Sequence, residues 1–350
     1  MINFHNSLDF SSIAELTEVI GYYLRDNSDG DGDIESLFGA ARNAREPYYG
    51  KRVFLRGLVE ITNFCRQDCF YCGIRHGNTA LRRYRLDCEQ ILECVRIGYR
   101  LGFHSFVLQG GEDMYYTDDI MTYIVSSIKK EFPNCAVTLS MGEQSRESYQ
   151  RYYDAGADRY LLRHESADSV HYSKLHPIGA TLENRKRCLY DLKEIGFQVG
   201  AGFMVGSPYQ TIENLAQDLV FLNELQPHMV GIGPFIPHNA TPFKDFPTGD
   251  VKLTLIMTAL CRIMLPKSML PATTALGSID EHGREKAMNA GANVVMPNLS
   301  PYEYRANYSL YDNKLFTGSE AAEALSAIKK RIVDIGYTPD LSTGHHWERK

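Results

Sequence analysis

The sequence predicts an α/β protein built as one (β/α)8 barrel of the TIM type, preceded by helices. From residue 53 onward, short apolar runs alternate with amphipathic stretches, which is the pattern of consecutive βα units on a parallel sheet. Four amphipathic stretches end in a glycine just before the next apolar run, at Gly102, Gly156, Gly196 and Gly291, where helices commonly terminate. The 350 residues, 44% of them hydrophobic, suffice for one barrel, although the alternation alone also fits an open doubly wound sheet.

The predicted elements begin with helices. Residues 1–50 are predicted to form an N-terminal helical extension, because apolar residues recur every three or four positions between Ile13 and Leu24. The polar stretch Asn27–Asp33 is expected to link two helices rather than bind calcium, since no suitable glutamate stands at the twelfth loop position. Residues 51–350 are predicted to form the barrel with a C-terminal closing segment. The eight candidate strands are Val53–Ile61, Ser105–Gln109, Ala136–Met141, Arg159–Arg163, Gln198–Val205, Met229–Pro234, Leu270–Thr273 and Asn293–Met296.

Charge and hydropathy narrow the classes of function. The formal net charge is −6 and no block of five like charges occurs, which argues against binding to nucleic acid or a membrane surface. No run of 18 apolar residues is present and the first residues lack the features of an export signal, so a cytoplasmic protein with a small-molecule partner is expected. Thiols stay reduced in that compartment, so the scattered cysteines are expected to be buried apolar residues. They are Cys88, Cys94, Cys135, Cys188 and Cys261.

The other three cysteines form a CxxxCxxC motif, Cys65, Cys69 and Cys72, directly after the first predicted strand. Three thiolates on one short loop can hold three irons of a [4Fe-4S] cluster and leave the fourth iron free to bind S-adenosylmethionine (SAM). The alternative is a zinc site, which normally needs four nitrogen or sulfur ligands, with His76 as the fourth. Placement after the first barrel strand, with the aromatic Tyr71 before the last cysteine, favours the cluster. Tyr71 is then expected to shield the cluster or touch the adenine.

A second group of candidates stands at the carboxyl-terminal ends of later strands, where barrel enzymes place their active sites. Gln109 and Glu112 flank two glycines after the second strand, and the glutamate could accept a hydrogen bond from an ammonium; an ordinary βα loop is the alternative. Arg163 and Glu165 at the end of the fourth strand are expected to face the same way, towards SAM, or only to pair with each other. His164, between them, is predicted to face the opposite side.

Other polar residues are candidates for the site only because of their position near the ends of predicted strands. Ser140 and Glu143 lie just past the third strand and Arg185 lies at the start of a helix, so each could be only a cap or a surface pair. A tyrosine-rich segment after the eighth strand is expected to close the lower end of the barrel or contact a substrate, unless it is a packed tyrosine cluster. It contains Tyr304, Arg305, Tyr308 and Tyr311.

Together these motifs resemble the HydE family of radical SAM proteins, the maturases of [FeFe]-hydrogenase. The similarity extends from about residue 45 to 311. Biotin synthase and methylornithine synthase share the cysteine motif, but neither is expected to combine it with RYLLRHE and GPFIPH. The family-like segments are 158–165 (DRYLLRHE), 200–211 (GAGFMVGSPYQT), 229–238 (MVGIGPFIPH), 270–278 (LPATTALGS) and 291–301 (GANVVMPNLSP).

The resemblance implies a full barrel with a closed internal cavity, one [4Fe-4S] cluster on the three cysteines, and SAM at the top. No cysteine follows Cys261, so a second cluster is not expected. Arg56 interrupts an otherwise apolar strand, and a charge facing into a barrel is unfavourable unless it meets an anion. The residues implied around SAM are Gln109, Glu112, Ser140, Arg163, Glu165 and Arg185. Those implied around the substrate are Arg56, Thr273, Thr274 and Met296, with Tyr304 as a further candidate.

The function implied by the family is assembly of the two-iron subcluster of the hydrogenase active site. A 5'-deoxyadenosyl radical made from SAM would attack a cysteine-bound iron carbonyl cyanide precursor. The implied partners are an electron donor protein and other hydrogenase maturases. A radical SAM mutase or synthase acting on an amino acid is the alternative enzyme, because the same arginines and threonines suit a carboxylate. A non-catalytic metal scaffold is the alternative from another class, and it would not cleave SAM.

Overall fold

The computed structural model describes residues 8–25, 32–315 and 321–349. Two helices, α1 (Ile13–Leu24) and α2 (Gly32–Tyr49), precede the first strand, as the helical pattern predicted. The linker predicted between them lies largely outside these residues. Within the described ranges, no helix is both long and apolar enough to cross a membrane.

The strands form a six-stranded and a three-stranded sheet, both parallel. They are β1 (Arg52–Leu55), β2 (Gly57–Thr62), β3 (Ser105–Gly110), β4 (Ala136–Ser140), β5 (Arg159–Leu161), β6 (Gln198–Val205), β7 (Met229–Pro234), β8 (Val294–Val295) and β9 (Thr338–Asp340). The larger sheet has the order β2-β3-β4-β5-β6-β7, so strands that follow each other in the chain are neighbours, as in consecutive βα units. The smaller sheet has the order β8-β1-β9.

Helices connect the strands, and those that lie between β2 and β7 in the chain cover the outside of the larger sheet. The connecting helices are α3 (Cys88–Arg100), α4 (Asp118–Glu131), α5 (Arg146–Asp154), α6 (Ser169–Leu175), α7 (Leu182–Ile195), α8 (Ile212–Leu225), α9 (Val251–Met264), α10 (Thr274–Ile279), α11 (Gly283–Asn289), α12 (Tyr302–Arg305) and α13 (Ala321–Asp334). Helix α3 shows why they start where they do, because the Asp87 carboxylate accepts from the Gln90 N–H at 2.8 Å. The N-terminal helices pack outside this layer, α1 on α8 and α2 on α9.

The first predicted strand, Val53–Ile61, is two strands in the structure. β1 pairs with β8 and β9, whereas β2 pairs with β3, so the chain changes partners at Arg56. A parallel strand can have only two neighbours at one level, and β9 occupies beside β1 the side that β3 occupies beside β2. The prediction of one continuous strand was therefore wrong at this residue.

A second predicted strand, Leu270–Thr273, is reduced to isolated bridges. The Val230 N–H donates to the Met269 carbonyl at 3.0 Å, and the Asn293 N–H donates to the Leu270 carbonyl at 2.8 Å. A further bridge joins β2 to the segment after β8. Backbone hydrogen bonds therefore connect all of the strands into a closed barrel. The segment 270–273 takes the place of the seventh predicted strand and is joined to its neighbours only by isolated bridges.

Side chains along each strand alternate between the helices and the barrel interior. Val59 and Ile61 belong to the apolar core shared with the helices, so Glu60 between them faces the interior. The strands β6 and β7 come close together at Gly202, where φ is +149° and an added Cβ would lie 2.0 Å from the Gly231 carbonyl oxygen. Only glycine fits there, which leaves that part of the interior wall without side chains.

The two ends of the barrel differ in what covers them. The amino-terminal ends of the strands, called the floor below, are covered by residues 341–349. Arg159 at the start of β5 donates to the Thr343 carbonyl at 2.6 Å, and the His346 N–H donates to the Gln198 side chain at 2.8 Å. The carboxyl-terminal ends, called the rim below, carry the loops that contain the predicted site.

Candidate active site

The cysteine loop, residues 63–75, follows β2 at the rim, and its three thiols are partly buried and free of disulfides. The loop after β3 packs directly on it. At Gly111 in that loop, an added Cβ would lie 2.2 Å from the Phe64 carbonyl oxygen, so glycine is required for this contact. The next residue, Glu112, points its N–H at the Cys65 Sγ, 3.4 Å away. The cysteine loop and the glycine-containing loop after β3 therefore form one continuous surface.

Without bound iron, the three thiols favour the protonated form. Burial raises the pKa of Cys72 to about 12 and also raises the pKa of Cys65 and Cys69. Mutual repulsion between thiolates contributes to the raised pKa of Cys69 and Cys72, because a negative charge on one sulfur opposes ionisation of the others. Positively charged iron would stabilise all three thiolates at once, and sulfur ligands suit it. The donor set fits an iron–sulfur cluster.

The zinc alternative is not favoured by the geometry. Within the described ranges, no three His, Cys, Asp or Glu side chains converge closely enough to hold a single metal ion. His76, the expected fourth zinc ligand, is exposed. A structural zinc site normally has four nitrogen or sulfur ligands, whereas a cluster with one open iron needs only the three thiols of this loop.

Glu112 is buried beside the cysteine loop, and three donors hold its carboxylate. Arg66 Nε and Gln67 Nε2 donate to Oε2 at 2.9 and 2.7 Å, and the Glu143 N–H donates to Oε1 at 2.9 Å. An ionised carboxylate offers about four acceptor positions, so one position remains for a ligand. The group is thus oriented before any ligand arrives.

The ion pair that the sequence offered as the alternative at the end of the fourth strand is formed. Arg163 Nη2 lies 2.7 Å from Glu165 Oε2, while Arg163 Nε is buried without a hydrogen-bond partner in the described structure. Arg185 donates from Nη1 to the Arg163 carbonyl at 2.7 Å and from Nε to the Glu143 carboxylate at 2.5 Å. These residues therefore pair with each other, as the simpler interpretation expected, and one buried donor is left over.

Tyr71 lies where the cysteine loop meets this ion pair. Burial raises the pKa of its phenol, and the neighbouring Glu165 carboxylate raises it further. Glu165 also raises the pKa of Cys72, and the Tyr71 hydroxyl lies 3.2 Å from His176 Nε2. The cysteines, the aromatic residue and the ion pair, predicted from separate motifs, thus occupy a single site at the rim.

Three more predicted residues reach the rim from neighbouring strands. Gln109 and Ser140 are partners in the register of β3 and β4, and Gln109 Nε2 donates to the Tyr308 hydroxyl at 3.2 Å. Thr273 caps helix α10, and its Oγ1 would lie 3.2 Å from a Cβ added at Gly233 in β7. Each of them therefore faces the space above the barrel interior.

The tyrosine-rich segment lies at the rim and not at the lower end of the barrel. The Gly73 N–H in the cysteine loop donates to the Leu310 carbonyl at 2.8 Å, which ties the segment to that loop. Tyr304 stacks on Tyr84 with ring centroids 4.9 Å apart, and both belong to the apolar core. Tyr304 is therefore a packed tyrosine, which was the alternative for this segment. The lower end of the barrel is covered by residues 341–349 instead.

Two of the predicted cavity residues, Thr274 and Met296, line a cavity of about 160 Å³. Glu60, Asn298 and Lys314 line the same cavity. The buried Glu60 carboxylate accepts from Asn298 Nδ2 at 2.8 Å and forms an ion pair with Lys314. The charge that β2 carries into the interior is therefore neutralised by a residue far along the chain.

Arg56 lies at the floor, fully buried. Its Nη1 lies 3.0 Å from Met229 Sδ, its Nη2 donates to the Gly344 carbonyl at 3.3 Å, and its Nε has no hydrogen-bond partner in the described structure. Burial and the neighbouring guanidinium of Arg159 both lower the pKa of Arg56. Neither arginine forms an ion pair within the described ranges. The Asp158 carboxylate partly offsets the charge of Arg159, whereas Arg56 has no carboxylate partner in the described structure.

Comparison with known proteins decides the family. A model of the Radical SAM superfamily matches residues 59–222, which include the cysteine loop and the ion pair at the rim. The [FeFe] hydrogenase maturase subunit HydE of Thermotoga maritima is 47% identical over 313 residues, which are 89% of this chain and 89% of that protein. The chain belongs to the HydE family of radical SAM enzymes. The resemblance found in the sequence is confirmed.

Relatives outside HydE share the same fold. The 3-methylornithine synthase of Methanosarcina barkeri is 29% identical over 339 residues, 95% of this chain and 94% of that protein. The crystal structure of methylornithine synthase (PylB) matches with a TM-score of 0.81 at 27% identity and covers 94% of each chain. The crystal structure of HydG, a maturase of the [FeFe]-hydrogenase, has a TM-score of 0.76 at 20% identity, which shows the fold alone.

Two interior charges of this HydE-family chain were missed by the sequence analysis. Glu60 stands within the apolar strand LVEIT and Arg159 stands at the start of RYLL, yet both are almost fully buried. A charged residue inside an apolar strand was the signal that singled out Arg56, and it applied equally to these two. Lys314, the partner of Glu60, had no local signal, because only the fold brings the two together.

Proposed function

We propose that this chain acts as a hydrogenase maturase that helps to build the two-iron subcluster of an [FeFe]-hydrogenase. The observation that carries the proposal is the rim site, where three partly buried thiols, Tyr71 and the Arg163–Glu165 pair meet above a positively charged interior. The 47% identity to the Thermotoga maritima maturase supports the same class of reaction. The substrate would be a cysteine-bound iron carbonyl cyanide species, attacked by the adenosyl radical at its sulfur.

Cys65, Cys69 and Cys72 would hold one [4Fe-4S] cluster. When bound, the cluster supplies the electron that cleaves SAM into methionine and a 5'-deoxyadenosyl radical. Their burial in a loop packed on Gly111 limits contact with water. An electron donor protein would approach from the rim, and other hydrogenase maturases would supply the precursor and take up the product.

SAM would lie across the rim, where opposite charges are already arranged for its ammonium and carboxylate. Glu112 has an acceptor position left for the ammonium, and Arg163 has a buried, unused Nε for the carboxylate. Glu165 would accept from the amine or the ribose, and Tyr71 would touch the adenine. The remaining proposed contacts are Gln109, Ser140 and Arg185.

The substrate would lie deeper, towards the floor. Two buried guanidiniums, Arg56 and Arg159, are unfavourable there unless a negative ligand neutralises them, and cyanide or carboxylate groups would do so. Thr273, Thr274 and Met296 would line the remaining space, with Tyr304 behind them as packing. The chain would thus act by orientation and by exclusion of water, because a primary carbon radical reacts with most C–H bonds it meets.

The experiment that tests the proposal is a turnover assay on the cluster-loaded protein. The reduced protein is incubated with SAM and the iron product of a HydG-type maturase, and 5'-deoxyadenosine and the altered precursor are measured together. We expect SAM cleavage coupled to consumption of the iron species. A protein that binds a cluster but cleaves no SAM under any of these conditions would contradict the enzymatic proposal and favour a metal scaffold.

A synthase acting on an amino acid is the second candidate. The likeness to methylornithine synthase over almost the whole chain favours it, and the floor arginines suit an amino-acid carboxylate equally well. The same assay with free amino acids in place of the iron species separates the two. Turnover on amino acids alone would contradict the maturase proposal.

A further inference from the structure

The backbone at Glu165 has a conformation that a glutamate rarely adopts. Its φ is +65°, in the left-handed region, where residues other than glycine are uncommon. β5 has already ended at Leu161, and the Glu165 N–H donates to the Gly202 carbonyl at 3.0 Å. This turn places the Glu165 carboxylate against Arg163, so other contacts are needed to keep the chain in it.

The preceding residue, His164, supplies one of those contacts. Its side chain has no exposed surface and packs between Phe203 and Phe221, with ring centroids 5.9 and 4.9 Å away. The Gly202 N–H donates to His164 Nδ1 at 3.3 Å. Because Nδ1 accepts, the proton of the neutral ring is on Nε2. Gly202 thus binds residue 164 through its N–H and residue 165 through its carbonyl.

Asp218 in helix α8 supplies the other contact. His164 Nε2 donates to Asp218 Oδ1 at 3.2 Å, and the Ala167 N–H donates to the same oxygen at 2.6 Å. Asp218 has no exposed side-chain surface either, so this carboxyl oxygen is fixed by packing. One buried oxygen therefore holds the chain on both sides of Glu165, one residue before it and two residues after it.

We propose that His164 and Asp218 are positioning residues, which hold Glu165 in its left-handed conformation so that its carboxylate faces Arg163 and the SAM site. Neither side chain would touch SAM, since His164 faces the helices outside the barrel. The role in binding rests on the proposed function of Glu165. The role in holding the backbone stands on the hydrogen bonds alone.

Amide hydrogen exchange of the cluster-loaded full chain without SAM tests the backbone role. We expect His164→Phe, which keeps the ring but removes both nitrogens, to speed exchange of the Glu165 amide at least tenfold. Asp218→Ala should do the same for the Glu165 and Ala167 amides, whereas Asp218→Asn, which keeps the accepting oxygen, should stay within about threefold of the parent. Unchanged exchange at Glu165 in both His164→Phe and Asp218→Ala would overturn the proposal. If His164→Phe fails to hold its cluster, the two Asp218 variants decide the question.

A double-variant comparison of SAM affinity tests whether these residues act through Glu165. We expect His164→Phe and Glu165→Gln each to weaken SAM binding about tenfold, and the double variant to be no weaker than Glu165→Gln alone. Losses that multiply would assign His164 a general structural role and overturn the proposal. Normal SAM binding by Glu165→Gln, together with faster exchange in His164→Phe, would instead reject the proposed role of Glu165 in SAM binding while the backbone role stands.

Discussion

The arginines at the rim and at the floor of the barrel differ in the groups that they contact. At the rim, Arg163 faces Glu165 and Arg185 faces Glu143, and further donors orient the carboxylates. At the floor, Arg56 and Arg159 contact only neutral acceptors within the described structure. Charges that are balanced before a ligand binds can orient a zwitterion such as SAM, whereas unbalanced charges favour a ligand that brings negative charge. The two ends therefore suit two different ligands.

The largest effect is expected at the cysteine loop on the rim. Cys69→Ala removes one of three ligands, so we expect loss of the cluster and at least a thousandfold loss of 5'-deoxyadenosine formation. Iron content, the electron paramagnetic resonance spectrum of the reduced protein with and without SAM, and the product assay measure this. Cys135→Ala, directly before β4 and so at the opposite end of the barrel, is the matched control and should keep the cluster and the activity. Full activity in Cys69→Ala would show that the loop does not hold the cluster.

Arg185→Met tests the balanced charges of the rim. It leaves the buried Glu143 carboxylate without its guanidinium, and breaking such a pair costs about 3 to 5 kcal/mol of unfolding free energy. Urea unfolding of the metal-free protein measures the change. Arg187→Met, two residues along the same helix, removes an exposed pair with Asp191 and should cost at most about 1 kcal/mol. Equal losses in the two variants would contradict a special role for the rim pair.

The same substitution at the floor is expected to act in the opposite direction. Arg56→Met removes a buried charge that no carboxylate balances, so the unfolding free energy should stay the same or rise by about 1 to 2 kcal/mol. Binding of the anionic substrate should weaken at least tenfold while SAM affinity is unchanged. Destabilisation as large as that of Arg185→Met would remove the contrast between the two ends.

The free energy of unfolding is expected to fall at acid pH because of His176 at the rim. Burial and, to a smaller extent, the charge of Arg185 lower the pKa of His176 from 6.5 to about 3. Between these values the unfolded chain binds a proton that the folded chain does not, so stability falls as pH decreases from 6.5 towards 3. The slope from this residue is up to about 1.4 kcal/mol per pH unit. Urea unfolding of the metal-free chain at pH 7, 6 and 5 should show a shallower slope for His176→Phe, and equal slopes would refute the prediction.

The sequence alone predicted those features that depend on a few neighbouring residues. The spacing of Cys65, Cys69 and Cys72 and the charges that end the fourth strand depend on a few neighbouring residues, and the structure brings these motifs together at the rim. The glycines before the strands likewise lie where helices end, for example Gly196 with φ of +111°. Such features can be predicted without knowledge of the fold.

The sequence was insufficient where distant segments meet. The break at Arg56 depends on β9, a strand that the pattern did not predict, and Leu270–Thr273 has a strand-like composition but forms only single bridges. The pairing of Glu60 with Lys314 joins opposite ends of the barrel sequence. His164 was set aside because it faces away from the interior, although that is the orientation that connects it to Asp218.

The division of the first strand has a consequence for how the chain folds. β1 is the earliest strand, yet its partners β8 and β9 come from the far end of the chain, at Phe54 with Val294 and Arg52 with Thr338. Such pairs must wait until nearly all of the sequence is available, and contacts of long sequence separation form slowly. Until then β1 is an unpaired edge that other chains can join, so slow, cool expression should favour folding over aggregation of this protein.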